Sequence, residues 1–250
     1  MGKVLNYLIE KLRDDGALHF SLIDPVDVVE NSIEKIATTI EDSGSDAIMV
    51  GGSTLSMQKW LDTLILGLKR CTTLPVILFP GNPAMLSPYA DAVWFMSLLN
   101  SANPFFVSEA QALAAPLVKK LGIEPIPLAY IVLRSSSSVG FVGHVRDFPE
   151  HKPELVAMYA LAAQYMGFKF VYLEAGSGAE KPVSTEMIRV VRKFLEIPLI
   201  VGGGIKSPRV AYEIVKAGAD CIVTGTILEE KLSILPSIVK AVKKAGREKK

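Results

Sequence analysis

The sequence has few of the residues that build disulfide scaffolds or metal centres. Among 250 residues there are two cysteines, Cys71 and Cys221, and three histidines. Cys221 falls in a predicted buried strand and Cys71 follows a predicted helix, so we expect no disulfide framework and a reducing, cytoplasmic location. The sequence contains no metal-ligand spacing and no nucleophile paired with a histidine. His19, near the start of the first predicted strand, is more typical of a structural residue than of a ligand.

The sequence also lacks an excess of charge of one sign, with 27 Lys and Arg against 26 Asp and Glu. No basic stripe with interleaved aromatics occurs, so we expect no nucleic-acid partner. No apolar run reaches the roughly 20 residues that span a bilayer. The first fifteen residues are charged and amphipathic, unlike a signal peptide. The basic C-terminal end, residues 243–250, is typical of a solvated helix end, with weak attraction to anionic lipid as the alternative. We therefore expect a soluble protein with at most peripheral membrane contact.

Half of the residues are hydrophobic, and apolar runs of strand type alternate with segments of helical periodicity. This pattern predicts an α/β protein, a single (β/α)8 TIM-barrel domain over residues 1–250. The predicted strands are Leu18–Ile23, Ala47–Val50, Val76–Phe79, Ala92–Phe95, Ile126–Val132, Phe170–Leu173, Leu199–Val201 and Cys221–Val223. The predicted helices are Val4–Arg13, Val28–Asp42, Leu55–Arg70, Ser108–Leu121, Pro153–Met166, Thr185–Phe194, Pro208–Ala217 and a last one from about Leu228.

Two connections depart from the regular pattern. Residues 80–91, between strands 3 and 4, carry three prolines and are too short and broken for a packing helix. We expect an extended segment to replace that helix and to leave a gap in the outer ring. Residues 134–147, after strand 5, contain four consecutive serines and two glycines. They predict a mobile loop over the mouth of the barrel, as a lid or simply as a solvated linker.

Glycine-rich turns follow the last two strands. Residues 201–207 contain Gly202, Gly203 and Gly204, and residues 222–226 end in Gly225 and Thr226. Glycines let the backbone approach a ligand, and the amides that open the next helix bind phosphate. Turns in these positions predict the phosphate site that (β/α)8 barrels build after strands 7 and 8. The alternative is that the glycines only make tight turns.

Carboxylates at strand ends are the candidate chemical groups, because barrel active sites lie at the C-terminal ends of the strands. Asp24, after strand 1, and Ser53, after strand 2, are able to share a Mg2+ ion, although Asp24 is also typical of an Asp-Pro turn or helix cap. Glu174, after strand 6, precedes three small residues and is a candidate general base. The alternative is a buried structural acid paired to Lys206. No lysine ends a strand, which disfavours a Schiff-base aldolase.

Several of these motifs together resemble the geranylgeranylglyceryl phosphate synthases, archaeal ether-lipid prenyltransferases related to bacterial heptaprenylglyceryl phosphate synthases. The resemblance runs from about residue 16 to residue 240 and is most specific in the strand-6 motif. That family has a barrel whose third helix is an extended segment, in agreement with residues 80–91. The segments that carry the resemblance are 22–25, 50–53, 97–104, 172–179 and 201–205.

The resemblance implies a Mg2+-dependent transfer of a geranylgeranyl group from geranylgeranyl diphosphate to the 3-hydroxyl of sn-glycerol 1-phosphate. It implies that Asp24 and Ser53 bind Mg2+ and that Glu174 is the base. One departure is that Val26 and Asp27 follow Pro25, where family members often have an acidic and then a basic residue. The implied substrate-binding residues are Tyr172, Leu173, Glu174, Ala175, Gly176, Ser177, Gly178, Gly203, Gly204, Gly225 and Thr226.

The resemblance also implies a homo-oligomer, a dimer or a hexamer. A prenyl chain needs an apolar groove, which the gap left by the third helix offers, and we expect Phe141 to close its far end or to pack on a neighbouring subunit. Three alternatives remain open: another phosphate-binding barrel acting on a sugar phosphate, a catalytically silent phosphate-binding barrel with an interaction role, and a heptaprenyl-type enzyme with a longer donor. The residues expected to line the groove, with core packing as the alternative for most of them, are Trp94, Phe95, Leu98, Phe105 and Phe106.

Overall fold

The computed structural model describes residues 2–52, 58–225 and 232–250. Eight parallel strands pair in chain order and close into a barrel through β1 and β8, which confirms the predicted fold class. The strands are β1 Leu18–Ile23, β2 Ala47–Val50, β3 Val76–Leu78, β4 Ala92–Leu98, β5 Glu124–Val132, β6 Phe170–Glu174, β7 Leu199–Gly202 and β8 Cys221–Thr224. The helices are α1 Lys3–Asp15, α2 Ile33–Asp42, α3 Gln58–Cys71, α4 Ala110–Leu121, α5 Ser138–Val142, α6 Pro153–Tyr165, α7 Thr185–Arg192, α8 Pro208–Ala217 and α9 Leu235–Arg247.

Local capping signals set the best-predicted boundaries. Ser207 accepts a hydrogen bond from Val210 N at 3.3 Å, Pro208 occupies the first turn, and Gly218 follows the last residue of α8. The structure differs from the prediction where a strand continues beyond the end of its apolar run. Strand β4 continues to Leu98, in register with Tyr130, and β6 includes Glu174, whose carboxylate is buried and hydrogen-bonded. The start predicted at Val28 for α2 was wrong, because a 3-10 turn over Glu30–Ser32 precedes the helix.

The connection from β3 to β4 contains no helix, as predicted. Met85, Leu86 and Ala90 of this segment are buried, so it packs on the barrel as an irregular stretch with two turns rather than as the extended segment that was expected. A single segment covers less of the sheet than a helix would. The outward-facing Val93 and Phe95 of β4 therefore line a cavity instead of packing under a helix.

Aromatic side chains fill the barrel interior. Trp94 lies between Phe20 and Phe170, with ring centroids 6.1 and 5.2 Å apart, respectively. Tyr130 and Tyr172 form a second group, with centroids 5.1 Å apart, and Phe79 contacts both rings. Tyr130 and Tyr172 line the cavity at the C-terminal ends of the strands, so the packed aromatics are its floor.

Polar contacts beside β1 are structural. His19 is fully buried, with Nδ1 2.9 Å from Ser45 Oγ and Nε2 3.0 Å from Thr224 Oγ1. Burial, with Lys243 as a lesser cause, lowers the pKa of His19 to about 3. Asp46 is buried and ion-paired to Lys243 at 2.6 Å. His19 therefore stays neutral in the core, in agreement with its structural reading.

None of the helices within residues 2–52, 58–225 and 232–250 combines the length and apolarity needed to cross a bilayer.

Candidate active site

A cavity of about 460 Å3 opens at the C-terminal ends of the strands. It has two chemically distinct parts, which we call the polar end and the apolar arm. The polar end is lined by Asp24, Asp27, Gly51, Gly52, Glu174, Ser177, Gly178, Gly203, Gly204, Lys206 and Gly225. The apolar arm is lined by Leu86, Val93, Phe95, Met96, Leu98, Phe105, Phe106, Ala114 and Val118. The cavity therefore suits a ligand, or a pair of ligands, with a charged head and an apolar tail.

The glycine turn after β7 lies at the polar end. Gly203 and Gly204 have φ angles of 83° and 69°, in the left-handed region that favours glycine. A Cβ at Gly203 would also overlap the Glu174 carboxylate, so this position requires glycine on two grounds. Lys206, three residues later, lines the same part of the cavity, which places a cation beside exposed backbone amides. Gly225 lies there as well, whereas Thr226 lies outside the described residues.

Glu174 is the carboxylate at the centre of the site. Its Oε2 accepts a hydrogen bond from Tyr172 Oη at 2.7 Å, and its Oε1 accepts one from Gly176 N at 2.6 Å. Burial raises the pKa of Glu174, and these two hydrogen bonds oppose the shift by stabilising the charged form. No ion pair joins Glu174 to Lys206 in the described part of the chain, so the alternative of a structural acid paired to that lysine lacks support.

The remaining residues of the strand-6 motif divide between two environments. Tyr172, Ser177 and Gly178 line the cavity beside Glu174. Leu173 and Ala175 are buried on the other side of the strand, in the core shared with the outer helices. Side chains of a strand alternate between its faces, so within β6 Tyr172 and Glu174 face the cavity, whereas Leu173, which the resemblance placed at the substrate, faces the outer core. Ser177 and Gly178 line the cavity from the connection that follows the strand.

Asp24 follows β1 at the polar end, where its carboxylate lies against Gly52 after β2. It is half-buried, and its carboxylate accepts a hydrogen bond from Val26 N at 3.2 Å as the cap of a 3-10 turn. Burial raises the pKa of Asp24, and the nearby charge of Asp27 acts in the same direction. Asp27 also lines the cavity, which sequence reasoning treated only as a departure from the family pattern. Ser53, the second predicted metal ligand, lies outside the described residues.

The donor chemistry of this end fits a magnesium ion. Within residues 2–52, 58–225 and 232–250 no three His, Cys, Asp or Glu side chains cluster closely enough to hold a metal. Mg2+ does not need such a cage, because it retains most of its waters and takes one or two carboxylates together with substrate phosphates. Asp24 and Asp27 supply carboxylate oxygens of this kind.

The apolar arm runs along the inner face of α4. Gln111, Ala114 and Val118 line it at helical spacing, facing Val93 and Phe95 of β4. Phe105 and Phe106, in a π-helical turn that precedes α4, add two rings whose centroids lie 5.2 Å apart, edge to face. The arm occupies the gap left by the missing third helix, as the sequence predicted.

The connection after β5 forms a short helix, α5, over the cavity. Ser137 caps it by accepting a hydrogen bond from Gly140 N at 3.1 Å. Val139 and Val142 line the cavity, whereas Phe141 is 82% exposed and lies on the opposite side of the helix. The expectation that Phe141 closes the prenyl site was therefore wrong, because the helical turn that directs it outward has no signal in the serines and glycines of this segment.

Comparison with known proteins agrees with this geometry. The chain is 55% identical to a geranylgeranylglyceryl phosphate synthase of Pyrococcus horikoshii, over 94% of this chain and 92% of the relative. It is 51% identical to one of Thermofilum pendens, over 99% and 96%, respectively. The crystal structure of (S)-3-O-geranylgeranylglyceryl phosphate synthase from Thermoplasma acidophilum, in complex with sn-glycerol-1-phosphate, superposes with a TM-score of 0.93 at 43% identity. It covers 98% of this chain and 100% of that chain.

The model of the PcrB family matches residues 9–246, almost the full length of the chain. With that match and relatives more than half identical over nearly their whole length, the chain belongs to the PcrB family.

Proposed function

We propose that this chain is a geranylgeranylglyceryl phosphate synthase. It transfers the geranylgeranyl group of geranylgeranyl diphosphate to the 3-hydroxyl of sn-glycerol 1-phosphate. The observation that carries the proposal is the position of Glu174, a buried carboxylate in one cavity with a phosphate-type polar end and an apolar arm. Relatives at 51–55% identity that bear this name support it.

The glycine turns are suited to hold the phosphate of the acceptor. The backbone at Gly203 and Gly204 has no side chain to keep a ligand at a distance, and Lys206 adds a positive charge. Amides that precede a helix bind phosphate with little further help, and here α8 begins at Pro208. With its phosphate there, glycerol phosphate extends toward Glu174.

Glu174 is suited to take the proton of the attacking hydroxyl. Tyr172 and Gly176 each hold one of its oxygens, so the carboxylate is fixed in orientation while other lone pairs remain for a substrate proton. Its raised pKa makes it a stronger base than an exposed glutamate. The allylic C–O bond breaks and diphosphate leaves with the electron pair. The glycerol oxygen forms the new C–O bond and its proton passes to Glu174.

The apolar arm is suited to the prenyl chain of the donor. Burial of a hydrocarbon chain is favourable by about 0.8 kcal/mol per methylene group, which a wall of phenylalanine, leucine and valine side chains provides. The arm and the polar end belong to one cavity that Glu174 also lines, so a donor with its chain in the arm is able to place its diphosphate end near the acceptor. A sugar-phosphate enzyme has no use for such an arm, which favours the prenyltransferase over that alternative.

We also propose that Asp24 and Asp27 hold Mg2+, with Ser53 as a further ligand. A bound Mg2+ neutralises charge on the diphosphate as it leaves. Removal of the metal with a chelator is then expected to abolish transfer, and restoring Mg2+ is expected to recover it.

The test of this function is a radiolabelled transfer assay that pairs prenyl diphosphates of 15, 20, 25 and 35 carbons with both enantiomers of glycerol phosphate. We expect the 20-carbon donor and sn-glycerol 1-phosphate to give the highest kcat/KM. Preference for the 35-carbon donor would assign the heptaprenyl alternative. Absence of transfer from every donor would overturn the proposal.

Self-association and a cytoplasmic location complete the proposal. Helix α6 exposes an apolar stripe along its outer face, made by Leu155, Met158, Tyr159, Tyr165 and Met166. The helix carries no Lys or Arg, which favours a second protein copy over an anionic lipid surface as the covering partner. Both cysteines are free, as in proteins of a reducing compartment. Light scattering of the purified protein and of a Met158→Lys, Tyr165→Lys variant tests the association. We expect an oligomer for the former and a smaller species for the latter.

A further inference from the structure

The wall of the apolar arm contains a π-helical turn, Phe105–Glu109, between β4 and α4. Ala110 N donates to Phe105 O across this turn, the i to i+5 spacing of a π-helix. Such turns are rare and occur frequently at functional sites. This one brings the consecutive Phe105 and Phe106 into the lining of the cavity.

Two side chains attach this turn to strand β4. Gln111 Nε2 donates to Met96 O at 2.6 Å and to Phe106 O at 3.1 Å, so a single amide joins the strand to the turn. Ser97 Oγ donates to Val107 O at 2.5 Å. Both contacts run from a side-chain donor to a backbone carbonyl, and both bind adjacent residues of the turn to the same strand.

The unpaired atom of Gln111 indicates what this side chain is for. Its Oε1 is buried and accepts no hydrogen bond from any residue that the structure describes. Both groups that contact Nε2 are acceptors, so the amide cannot turn over to satisfy its oxygen without losing both bonds. A buried acceptor without a hydrogen bond costs free energy. The two bonds that Nε2 donates must therefore contribute enough to hold the side chain in this orientation.

We infer that Gln111 is a positioning residue: its amide holds the π-helical turn against β4 and so fixes the phenylalanine pair in the wall of the apolar arm. This inference rests on the proposed function, in which the arm holds the prenyl chain. Gln111 then acts on the affinity and length preference for the donor, and not on proton transfer at Glu174. Ser97 supports the same turn to a smaller extent, because it supplies one bond. Gln111 also lines the arm and Ser97 does not, so a rise in donor KM in Ser97→Ala separates support of the turn from direct contact with the donor.

The test compares Gln111→Leu with Gln164→Leu. Gln164 is a matched control, since its Oε1 accepts hydrogen bonds from Glu196 N at 2.7 Å and Ile197 N at 3.3 Å, away from the cavity. We expect Gln111→Leu to raise the KM for geranylgeranyl diphosphate by about tenfold, the effect usual for the loss of one or two hydrogen bonds. We expect kcat and the KM for glycerol phosphate to stay nearly unchanged. Its preference for 20 over 15 carbons is expected to fall by a similar factor. Gln164→Leu is expected to alter none of these.

Hydrogen exchange of the free protein provides a second readout that does not depend on activity. We expect the amides of residues 105–111 to exchange at least tenfold faster in Gln111→Leu than in the wild-type protein, and Ser97→Ala to show a smaller change in the same segment. Unchanged exchange there, or an equal change of donor KM in Gln164→Leu, would overturn the inference. If the wild-type protein transferred no prenyl group, the proposed function would fail and the exchange data alone would decide whether Gln111 braces the turn. If Gln111→Leu did not fold, Ser97→Ala would carry the same comparison.

Discussion

Replacement of Glu174 by glutamine separates the catalytic role of this residue from its structural one. A glutamine in the same position keeps an oxygen for Gly176 N and turns its amide nitrogen toward Tyr172 Oη, which accepts in place of donating. The fold therefore loses at most one favourable hydrogen bond, about 1 kcal/mol. The base is lost entirely, and we expect turnover to fall by about 10²- to 10⁴-fold, the usual contribution of a positioned base.

The raised pKa of Glu174 also predicts how the stability of this variant, relative to that of the wild-type protein, changes with pH. Because burial raises the folded-state pKa of Glu174, the group favours folding at pH values below its unfolded pKa, and this contribution disappears as pH rises through the folded pKa. At pH values above the folded pKa the ionised carboxylate thus opposes folding. We expect the melting temperature of Glu174→Gln, relative to that of the wild-type protein, to rise as pH increases, because the cost of the lost hydrogen bond does not depend on pH.

The assay is steady-state transfer from geranylgeranyl diphosphate, with calorimetric binding of sn-glycerol 1-phosphate and thermal unfolding measured on the same samples. Glu180→Gln is the control, since Glu180 is exposed in the same connection and does not line the cavity. Turnover of Glu174→Gln within tenfold of wild type would refute the assignment of the base. A difference in melting temperature between the two proteins that did not change with pH would refute the electrostatic reasoning.

Three further predictions follow from the same geometry. Asp24→Asn keeps an oxygen that caps the 3-10 turn, so we expect the protein to fold. Its Mg2+-dependent affinity for the donor should fall at least tenfold, while its affinity for glycerol phosphate stays within twofold. Equal losses of the two affinities in separate titrations would contradict this. Ala114→Trp should fill the apolar arm and lower kcat/KM for the 20-carbon donor by about tenfold or more, favouring shorter donors, whereas Leu113→Trp, exposed on the same helix, should not. His19 has a pKa of about 3 in the folded protein, so below pH 6.5 it takes up a proton only when the protein unfolds. This proton uptake should lower the free energy of unfolding by about 3 kcal/mol at pH 4. His19→Gln should unfold with a shallower dependence on pH in urea titrations, and an unchanged slope would contradict that account.

The barrel was predictable from the sequence because its signals are local. Each buried strand is a short apolar run, and α8 is bounded by Ser207 and Gly218, whose capping roles depend on adjacent residues only. The missing third helix was predictable for the same reason, since three prolines within twelve residues remove backbone donors and disfavour a helix over so short a segment. These features need no knowledge of the distant chain.

The cavity wall was less predictable because it depends on contacts distant in sequence. The π-helical turn is stabilised by Ser97 and Gln111, and nothing in residues 105–109 alone distinguishes it from the start of an α-helix. The outward direction of Phe141 follows from α5, a five-residue helix that its serines and glycines did not signal. The buried state of Glu174 depends on Tyr172 and on the glycine turn of the neighbouring strand.

The central claim is that one cavity brings the acceptor hydroxyl to Glu174 while the prenyl chain lies in the apolar arm. Its most direct test is a crystal structure with sn-glycerol 1-phosphate and a non-hydrolysable thio analogue of geranylgeranyl diphosphate. We expect the phosphate on the turn at Gly203 and Gly204, and the 3-hydroxyl at a hydrogen-bonding distance of about 2.6–3.2 Å from a Glu174 carboxylate oxygen. A glycerol phosphate whose 3-hydroxyl pointed away from Glu174, or a prenyl chain bound outside the arm, would contradict the account.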